Sequence, residues 1–351
     1  MPIKRALAER AGFRCSWPTC PRRTLGPSEE SPTATNNVGM ACHISAAAAG
    51  RGARRYDPTM TQQRRTAISN GIWMCYSHGK LIDGDEKRFT VEMLKQWRSL
   101  AEELAKLELD EGTDISPSTD DRVGMMFAAV EETLNGIGAE NEVIGNALND
   151  SCASVLWGTS LCDSVRDFLV EYTRNALTHG KATRVRIEIQ NRYIRVSDDG
   201  SMFNPRSLVG TNAQSGGSIA ASQLVGDWGD QVVLDYRRLP EGNCLTLGLL
   251  RSRTDVRLIT PCVVELDHAT LHDEARQVGI RFQGDCVTVY FVAPFFLSHS
   301  DVEELAALVR EHTGGRQATV VLEEASDAVT ARLKQQLPRV QLVRIRRRRG
   351  A

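Results

Sequence analysis

The segment Glu171-Tyr-Thr-Arg-Asn-Ala-Leu-Thr-His-Gly180, followed by Val196-Ser-Asp-Asp-Gly200, is the most informative part of the chain. The first part is predicted to be a helix that places Glu171 and Asn175 on one face. The second part is predicted to be an acidic turn at the end of a strand. Carboxylate and amide oxygens bind Mg²⁺, and a helical Glu/Asn pair beside an Asp-x-Gly turn is what a magnesium-nucleotide pocket needs. We therefore place the rest of the chain around such a pocket.

Regular apolar patterns on both sides of this segment predict the elements that surround the pocket. Ser164–Thr178 carries a helical stripe of apolar side chains, and Arg184–Gln190 alternates as a strand does. The glycines of Ser215-Gly-Gly-Ser218 open a further helix. The predicted order is helix Ser164–Thr178, strands Arg184–Gln190 and Tyr193–Val196, helix Ile219–Leu224, and strands Val232–Tyr236 and Cys244–Leu250.

This order resembles the GHKL (Bergerat-fold) ATPases, a family that includes gyrase B, Hsp90, MutL, MORC proteins and the sensor histidine kinases. The resemblance covers roughly a third of the chain and implies that the ligand is ATP with Mg²⁺. It makes Glu171 the general base that polarises the attacking water, Asn175 the magnesium ligand, and Asp198 the acceptor of the adenine amino group. Met202 stands where the family has a second glycine, so the resemblance favours nucleotide binding more than hydrolysis. The cofactor-binding residues that it implies are Asn175, Asp198, Gly200, Gly216, Gly217 and His179.

Two closely spaced pairs of metal-ligand residues lie in the N-terminal part. The first is Cys15-Ser-Trp-Pro-Thr-Cys20 and the second is Cys75-Tyr-Ser-His78. Two thiolates followed by a third thiolate and an imidazole are the ligands that tetrahedral zinc prefers. The alternative is a set of unrelated thiols and imidazoles. The other cysteines, except Cys42, are expected to be buried thiols: Cys152, Cys162, Cys244, Cys262 and Cys286.

Several short motifs between and after these pairs resemble HNH endonucleases of the zinc-stapled, ββα-metal type. The resemblance gives His43 the role of general base and Asn70 an orienting role. It places the ligands of the catalytic metal at Cys42 and Gly79, but a glycine has no side chain and a thiolate is a poor ligand for magnesium. We predict an HNH-derived zinc module that no longer cuts, with an active nuclease as the alternative. The motifs are Ala41-Cys-His-Ile44, Arg55-Tyr-Asp-Pro58, Asn70-Gly-Ile-Trp73 and Lys80-Leu-Ile-Asp83.

The remaining segments complete the prediction of an α+β multidomain protein. Residues 110–121 are acidic and polar, which indicates a linker. Apolar residues at 126, 130 and 134 favour a helix over 123–134, and Glu142–Leu148 is predicted to be a second helix. The predicted domains are a ββα-metal-like zinc domain at 1–109, a GHKL α/β sandwich at 122–253, and a C-terminal α/β domain with a basic tail at 254–351. The predicted strands of this C-terminal domain are Val256–Leu266, Ile280–Phe282, Val287–Val292, Ala318–Leu322 and Val340–Ile345. Its predicted helices are Ser300–Glu311 and Ala325–Gln336, and the N-cap of the first is Ser298 or Ser300.

Composition is that of an ordinary globular protein, with 41% hydrophobic and 25% charged residues. No apolar run reaches the length of a membrane span and the N-terminus lacks a signal-peptide core, so we expect a cytoplasmic protein. A net charge of −1 gives no global argument for nucleic-acid binding, but local basic stretches can contact phosphates. DNA is therefore a candidate partner, and a homodimer through the predicted helices of 123–148 is another. The basic residues are Arg51, Arg54, Arg55, Arg64 and Arg65, and near the end Arg344, Arg346, Arg347, Arg348 and Arg349.

Together these patterns favour a bacterial protein of defence or DNA-transaction type, in which an ATP-binding GHKL switch is joined to a degenerate HNH-like zinc module. Each feature of the pocket alone has a simpler explanation, since Glu171 and Asn175 could face solvent and Asp198 could belong to an ordinary hairpin turn. Their order and spacing favour the pocket. The alternatives are an ATP-gated HNH DNA endonuclease, a histidine kinase or anti-sigma-like kinase, and a scaffold in which both sites are vestigial.

Overall fold

The computed structural model describes residues 2–18, 20–112, 129–209, 216–273 and 279–345. Within these ranges the chain forms two compact units. The first holds the described residues up to 112 together with Cys152–Leu156, and the second holds 129–151 and 157–345. Helices and strands are mixed in several sheets, which confirms the prediction of a mixed α/β multidomain protein at this level. No helix in these ranges is long and apolar enough to cross a membrane.

Up to residue 112, the described part of the first unit contains two pairs of antiparallel strands and four helices. These are α1 Pro2–Arg10, β1 Leu25–Pro27, β2 Thr35–Asn37, β3 Gly39–His43, α2 Gln62–Thr66, β4 Gly71–Cys75, α3 Tyr76–Gly84 and α4 Val91–Glu111, with a 3₁₀ turn at Ile68–Asn70. Strands β3 and β4 pair antiparallel, with His43 opposite Gly71. Helix α4 begins at the N-cap Thr90, whose side chain accepts a hydrogen bond from the Met93 N–H. It runs two residues into the segment predicted as a linker, of which 113–121 lie outside the described residues.

The second unit begins with a five-stranded antiparallel sheet and its helices. The elements are β5 Val130–Leu134, α5 Glu140–Asp150, α6 Ala153–Trp157 (shared with the first unit), α7 Thr159–Thr178, β6 Val185–Ile189, β7 Tyr193–Asp198, α8 Gly216–Trp228, β8 Val232–Leu239 and β9 Gly242–Leu249, with a 3₁₀ turn at Pro205–Leu208. The strand order is β5-β6-β7-β9-β8. Helix α7 buries Val165, Phe168 and Leu169, and it also carries Glu171 and Asn175, which are only partly buried.

The helix predicted over 123–134 is wrong at Val130–Leu134, which forms strand β5. Residues 123–128 lie outside the described residues. The strand pairs antiparallel with β6, so that Val130 lies opposite Ile189 and Leu134 opposite Val185. The prediction failed because apolar residues four positions apart fit both a helical stripe and alternate positions of a strand. Pairing with β6 is a non-local contact that local spacing does not encode.

A four-stranded parallel sheet follows in the same unit. Its elements are α9 Val256–Ile259, β10 Val263–Glu265, α10 His268–Leu271, β11 Thr288–Val292, α11 His299–His312, β12 Gln317–Glu323, α12 Asp327–Gln336 and β13 Gln341–Ile345. The strand order β10-β11-β12-β13 follows the chain. Ser298 is the N-cap of α11, with Asp301 completing a capping box. The predicted domains at 122–253 and 254–351 thus share one compact unit.

Two strand predictions in this region are wrong. Val256–Leu266 is not one strand: Val256–Ile259 is a helical turn, and the strand is limited to Val263–Glu265. Pro261 lies between them and cannot donate to a ladder, so it separates the two elements. Ile280–Phe282 has no regular secondary structure, although Ile280 and Phe282 pack against the core of the parallel sheet.

The parallel sheet holds the chain on both sides of α8. Arg206, which lies before α8, donates hydrogen bonds to the Thr288 Oγ1 at 3.3 Å and to the Gln341 Oε1. The Gln341 Nε2 donates to the Gly229 carbonyl oxygen at 2.8 Å, just after α8 ends. One amide side chain therefore contacts both flanks of the helix, which restricts the positions that α8 can take.

The cysteines predicted as buried thiols include a bonded pair. Cys262 and Cys286 form a disulfide with their Cα atoms 5.7 Å apart, so the prediction of free thiols is wrong for these two. Cys152 and Cys162 are buried and Cys244 is partly buried, and these three are not part of the disulfide. The pairing depends on how β10 and β11 align in the sheet, and sequence separation alone does not reveal it.

Reducing this disulfide is expected to lower the free energy of unfolding of the second unit. The bridge closes a loop between residues 24 positions apart, and a loop of this length restricts the unfolded chain by about 3 kcal/mol. The measurement is denaturant unfolding with and without reductant, together with mass spectrometry of the linked peptides. The double variant Cys262→Ala/Cys286→Ala should be insensitive to reductant, whereas Cys244→Ala should respond as wild type does. Absence of the linked peptide from non-reduced protein would contradict the assignment.

Candidate functional site

Four metal-ligand residues of the first unit meet at one point. Cys15, Cys20, Cys75 and His78 offer ligand atoms that all lie within 4.8 Å of one another. Cys75 ends β4 and His78 lies in the first turn of α3, so one strand-to-helix junction supplies two of them. The His78 Nδ1 lies 3.4 Å from both the Cys15 Sγ and the Cys75 Sγ. A tetrahedral zinc ion with Zn–S of about 2.3 Å and Zn–N of about 2.0 Å spaces its ligand atoms by about 3.5 Å, so these residues fit a metal such as zinc.

The surroundings of this cluster affect the charge of its thiols and the orientation of its imidazole. Burial raises the pKa of the Cys15 thiol well above its ordinary value, because a thiolate without a counter-charge is costly there. A divalent metal supplies that charge and holds the thiol deprotonated. The Trp17 ring stacks on the His78 imidazole at 4.2 Å between centroids and fixes its orientation. Burial, with the charge of Arg22, lowers the pKa of His78 and favours the neutral imidazole that binds metal.

The two residues assigned to HNH chemistry differ in accessibility. His43 is exposed at the end of β3. Asn70 is buried, and its side chain bonds backbone atoms on two segments: its Nδ2 donates to the Ser45 and Arg65 carbonyl oxygens at 2.8 and 2.9 Å, and its Oδ1 accepts from the Ser45 N–H at 2.9 Å. Asn70 therefore fixes the loop that follows His43, but its amide has little capacity left for a ligand.

The two positions that would hold an HNH catalytic metal are adjacent, but they offer no ligand for a hard cation. A Cβ on Gly79 would lie 2.5 Å from the Met40 Sδ and 2.9 Å from the Cys42 Sγ, so sulfur atoms fill the space of a side chain. Burial, with the charge of Asp83, raises the pKa of the Cys42 thiol to about 12. A neutral thiol and a thioether are poor ligands for magnesium.

The basic stretch between Arg51 and Arg65 is less available for contact with phosphates than the sequence indicates. Arg51, Arg54 and Arg64 are exposed. The Arg55 side chain is only 4% exposed and donates to the Ile44 and Ile82 carbonyl oxygens at 2.7 and 2.6 Å. Sequence reasoning assigned this guanidinium to a phosphate-binding patch and missed its role in joining the end of β3 to α3.

Helix α8 begins directly on the Glu171/Asn175 face of α7. A Cβ on Gly216 would lie 2.6 Å from the Glu171 Oε2, and one on Gly217 would lie 2.5 Å from the Asn175 Nδ2. Only glycine allows so close an approach. The structure thus brings together four residues that the sequence assigned to one pocket. The Arg174 Nη1 also donates to the Glu171 Oε1 at 2.8 Å and holds that carboxylate on the surface of the helix.

Asp198 lies at the end of β7 and is held by three hydrogen-bond donors. The Tyr172 hydroxyl donates to Oδ2 at 2.9 Å, while the Gly200 N–H and the Asn243 Nδ2 donate to Oδ1 at 2.9 and 2.8 Å. Asp198, Tyr172 and Asn243 are all at least 95% buried. Burial, with the charge of Asp198, raises the pKa of Tyr172 well above its ordinary value, so its hydroxyl stays a donor. Sequence reasoning missed Tyr172 and Asn243 as members of this site.

The remaining predicted pocket residues have different surroundings. Gly200 packs against the chain beyond α7: a Cβ there would lie 2.9 Å from the Gly180 carbonyl oxygen. The Ser201 N–H donates to the same oxygen at 2.8 Å. His179 is the C-cap of α7 and its imidazole is exposed. Met202 is 73% exposed, so the residue in place of the second glycine does not fill the site.

Comparison with known proteins adds no family to these observations. No protein-family model, no curated protein and no solved structure matches the chain significantly. The metal-ligand cluster of the first unit and the glycine-covered face of α7 in the second are therefore the basis for inferring function.

Proposed function

We propose that the protein is an ATP-binding switch of GHKL type, in which Asn175 holds Mg²⁺ and the start of α8 receives the phosphates. One observation carries the proposal: the N-terminus of α8, at Gly216 and Gly217, meets the side chains of Glu171 and Asn175. The free N–H groups and the dipole of a helix N-terminus attract phosphate. An amide and a carboxylate beside it supply the oxygen ligands that Mg²⁺ takes between phosphates.

Asp198 gives the same pocket a group that can recognise a nucleobase. Its two oxygens offer about four acceptor positions, and three are taken by Tyr172, Gly200 and Asn243. The position that is left, on Oδ2, accepts the 6-amino group of adenine. Glu171 acts as the base in hydrolysis, with its carboxylate placed by Arg174.

The first unit supplies a zinc module in this proposal. Zinc at Cys15, Cys20, Cys75 and His78 would stabilise the hairpin and helix that resemble an HNH endonuclease. The absence of a hard ligand at Cys42 and Gly79 supports a role without DNA cleavage. Exposed Arg51, Arg54 and Arg64 are the groups with which the module could contact DNA. We place the protein in the bacterial cytoplasm, in defence or DNA transactions, with nucleotide-driven closure or dimerisation controlling a partner domain.

The substitution Asn175→Ala is expected to weaken Mg-ATP binding at least about 30-fold, because a metal ligand that also faces the phosphates is lost. Isothermal titration calorimetry with ATP and Mg²⁺ measures the effect. Asn175 is partly buried and no hydrogen bond of its side chain supports the core among the described residues, so the fold should persist by circular dichroism.

The matched control is Asn149→Ala, which removes an exposed amide from α5 and should leave ATP affinity unchanged. Wild-type protein that binds no ATP would refute the proposed function. Wild-type binding that survives Asn175→Ala would place the nucleotide elsewhere.

A further inference from the structure

The two carboxylate oxygens of Asp198 accept different numbers of hydrogen bonds. Its Oδ1 accepts two hydrogen bonds, from Gly200 and Asn243, whereas its Oδ2 accepts one, from the Tyr172 hydroxyl. Tyr172 is therefore the only described protein donor to the oxygen that retains a free acceptor position. It directly follows Glu171 in the chain, so the same helix turn carries the proposed base and this donor.

The Oδ1 side is held by a second layer of hydrogen bonds. The Asn243 Oδ1 accepts from the Tyr236 hydroxyl at 2.7 Å and from the Arg238 Nη1 at 2.9 Å. The Asn243 Nδ2 also donates to the Ser201 carbonyl oxygen at 2.9 Å. The amide of Asn243 is thus fixed, and the carboxylate cannot rotate without breaking two bonds to Oδ1. The Asp198 Oδ2 therefore keeps the same position whether or not Tyr172 donates a hydrogen bond to it.

We infer that Tyr172 is a specificity-determining residue that weakens the preference of Asp198 for purine nucleotides with a 6-amino group over those with a 6-oxo group. The inference rests on the proposed ATP pocket. A base with a 6-oxo group has no donor at its 6-position for Oδ2, but the Tyr172 hydroxyl still satisfies that oxygen. Without this hydroxyl, Oδ2 would be a buried charged acceptor whose only donor is the amino group of adenine. A buried acceptor left without a donor is costly, so the pocket would then discriminate more strongly.

The test compares ATP with inosine triphosphate, which carries an oxygen in place of the 6-amino group and a hydrogen on N1. The quantity measured is the ratio of the dissociation constants, inosine triphosphate over ATP, by calorimetry with Mg²⁺ on the full chain. In Tyr172→Phe this ratio is expected to rise about five- to fifty-fold over wild type. Phenylalanine keeps the ring that packs near Phe168 and Phe203, at 6.3 and 6.0 Å between centroids, so shape is preserved.

Tyr236→Phe is the matched control. It removes a tyrosine hydroxyl from the same network, but that hydroxyl bonds Asn243 and not Asp198. If Tyr172 had only a structural role, both variants would be less stable and the ratio of dissociation constants would not change. We therefore expect this ratio to change in Tyr172→Phe only. Wild type that binds ATP, with a ratio that is unchanged or lower in Tyr172→Phe, would overturn this inference and leave the pocket standing. Wild type that binds neither nucleotide would instead refute the proposed function.

Discussion

Removal of metal from Cys15, Cys20, Cys75 and His78 is expected to unfold the first unit while the second unit stays folded. Cys15 and Cys75 are themselves buried in the core of the first unit, beside Ile44, Ile72 and Trp97. Structural zinc contributes about 10–16 kcal/mol to folding in zinc-finger peptides, which exceeds the stability of most small domains. An ion there would also join residues that are far apart in the chain, so its loss removes a link between the segment around Cys15 and both β4 and α3.

The measurement combines metal content with thermal unfolding. Protein as purified should contain about one zinc ion per chain by mass spectrometry, which is the content expected of a Cys₃His site. A strong chelator should abolish one unfolding transition and leave the other, and addition of zinc should restore it. A chelator does not reduce the disulfide of the second unit. The unfolding transition of that unit should therefore be unaffected by the chelator under non-reducing conditions.

Two histidines of the first unit provide the matched pair of variants. His78→Ala removes a ligand, whereas His43→Ala removes an exposed imidazole that ends β3. The first variant should lose zinc and the chelator-sensitive transition, and the second should retain both. Equal zinc content in the two variants would show that the four residues are not the metal site.

Features carried by local spacing were predicted from the sequence. The four candidate metal ligands lie in two short pairs, and the structure gathers the same four residues. Helix α7 and the common face of Glu171 and Asn175 follow from helical periodicity. These predictions succeeded because neighbouring residues in the chain have few ways to be arranged.

Features that depend on distant contacts were missed. Tyr172 lies within the helix Ser164–Thr178, for which an apolar stripe was predicted, but its hydroxyl reaches Asp198, 26 residues away. Strand β5 and the Cys262–Cys286 disulfide are likewise set by strand pairing. Arg55 was predicted to belong to a basic stretch that contacts phosphates, although it satisfies the carbonyl oxygens of Ile44 and Ile82. In each case a polar or apolar group is placed by tertiary structure, which overrides the local pattern.

The substitution Glu171→Gln is expected to reduce ATP turnover at least about 100-fold while ATP binding is kept, because an amide cannot accept the proton of the attacking water. Glutamine has the shape of glutamate and can still accept the hydrogen bond from Arg174. It also removes a negative charge beside the start of α8, where the phosphates would bind, so ATP affinity should be equal or higher. Phosphate release at saturating ATP and calorimetric binding measure the two effects separately.

The separation of turnover from binding is what distinguishes a base from a residue that only shapes the pocket. The Glu171 side chain is 26% exposed, so neither its charge nor its loss is expected to disturb the core. Glu142→Gln, on the exposed side of α5, makes the same chemical change away from the pocket and should leave both quantities unchanged. If Glu171→Gln turned over ATP at the wild-type rate while Asn175→Ala lost binding, the pocket would stand and the water would be activated by another group. If Glu171→Gln lost binding and turnover together, Glu171 would act with Asn175 in holding Mg²⁺, since a carboxylate that binds the ion contributes before the transition state as well as in it.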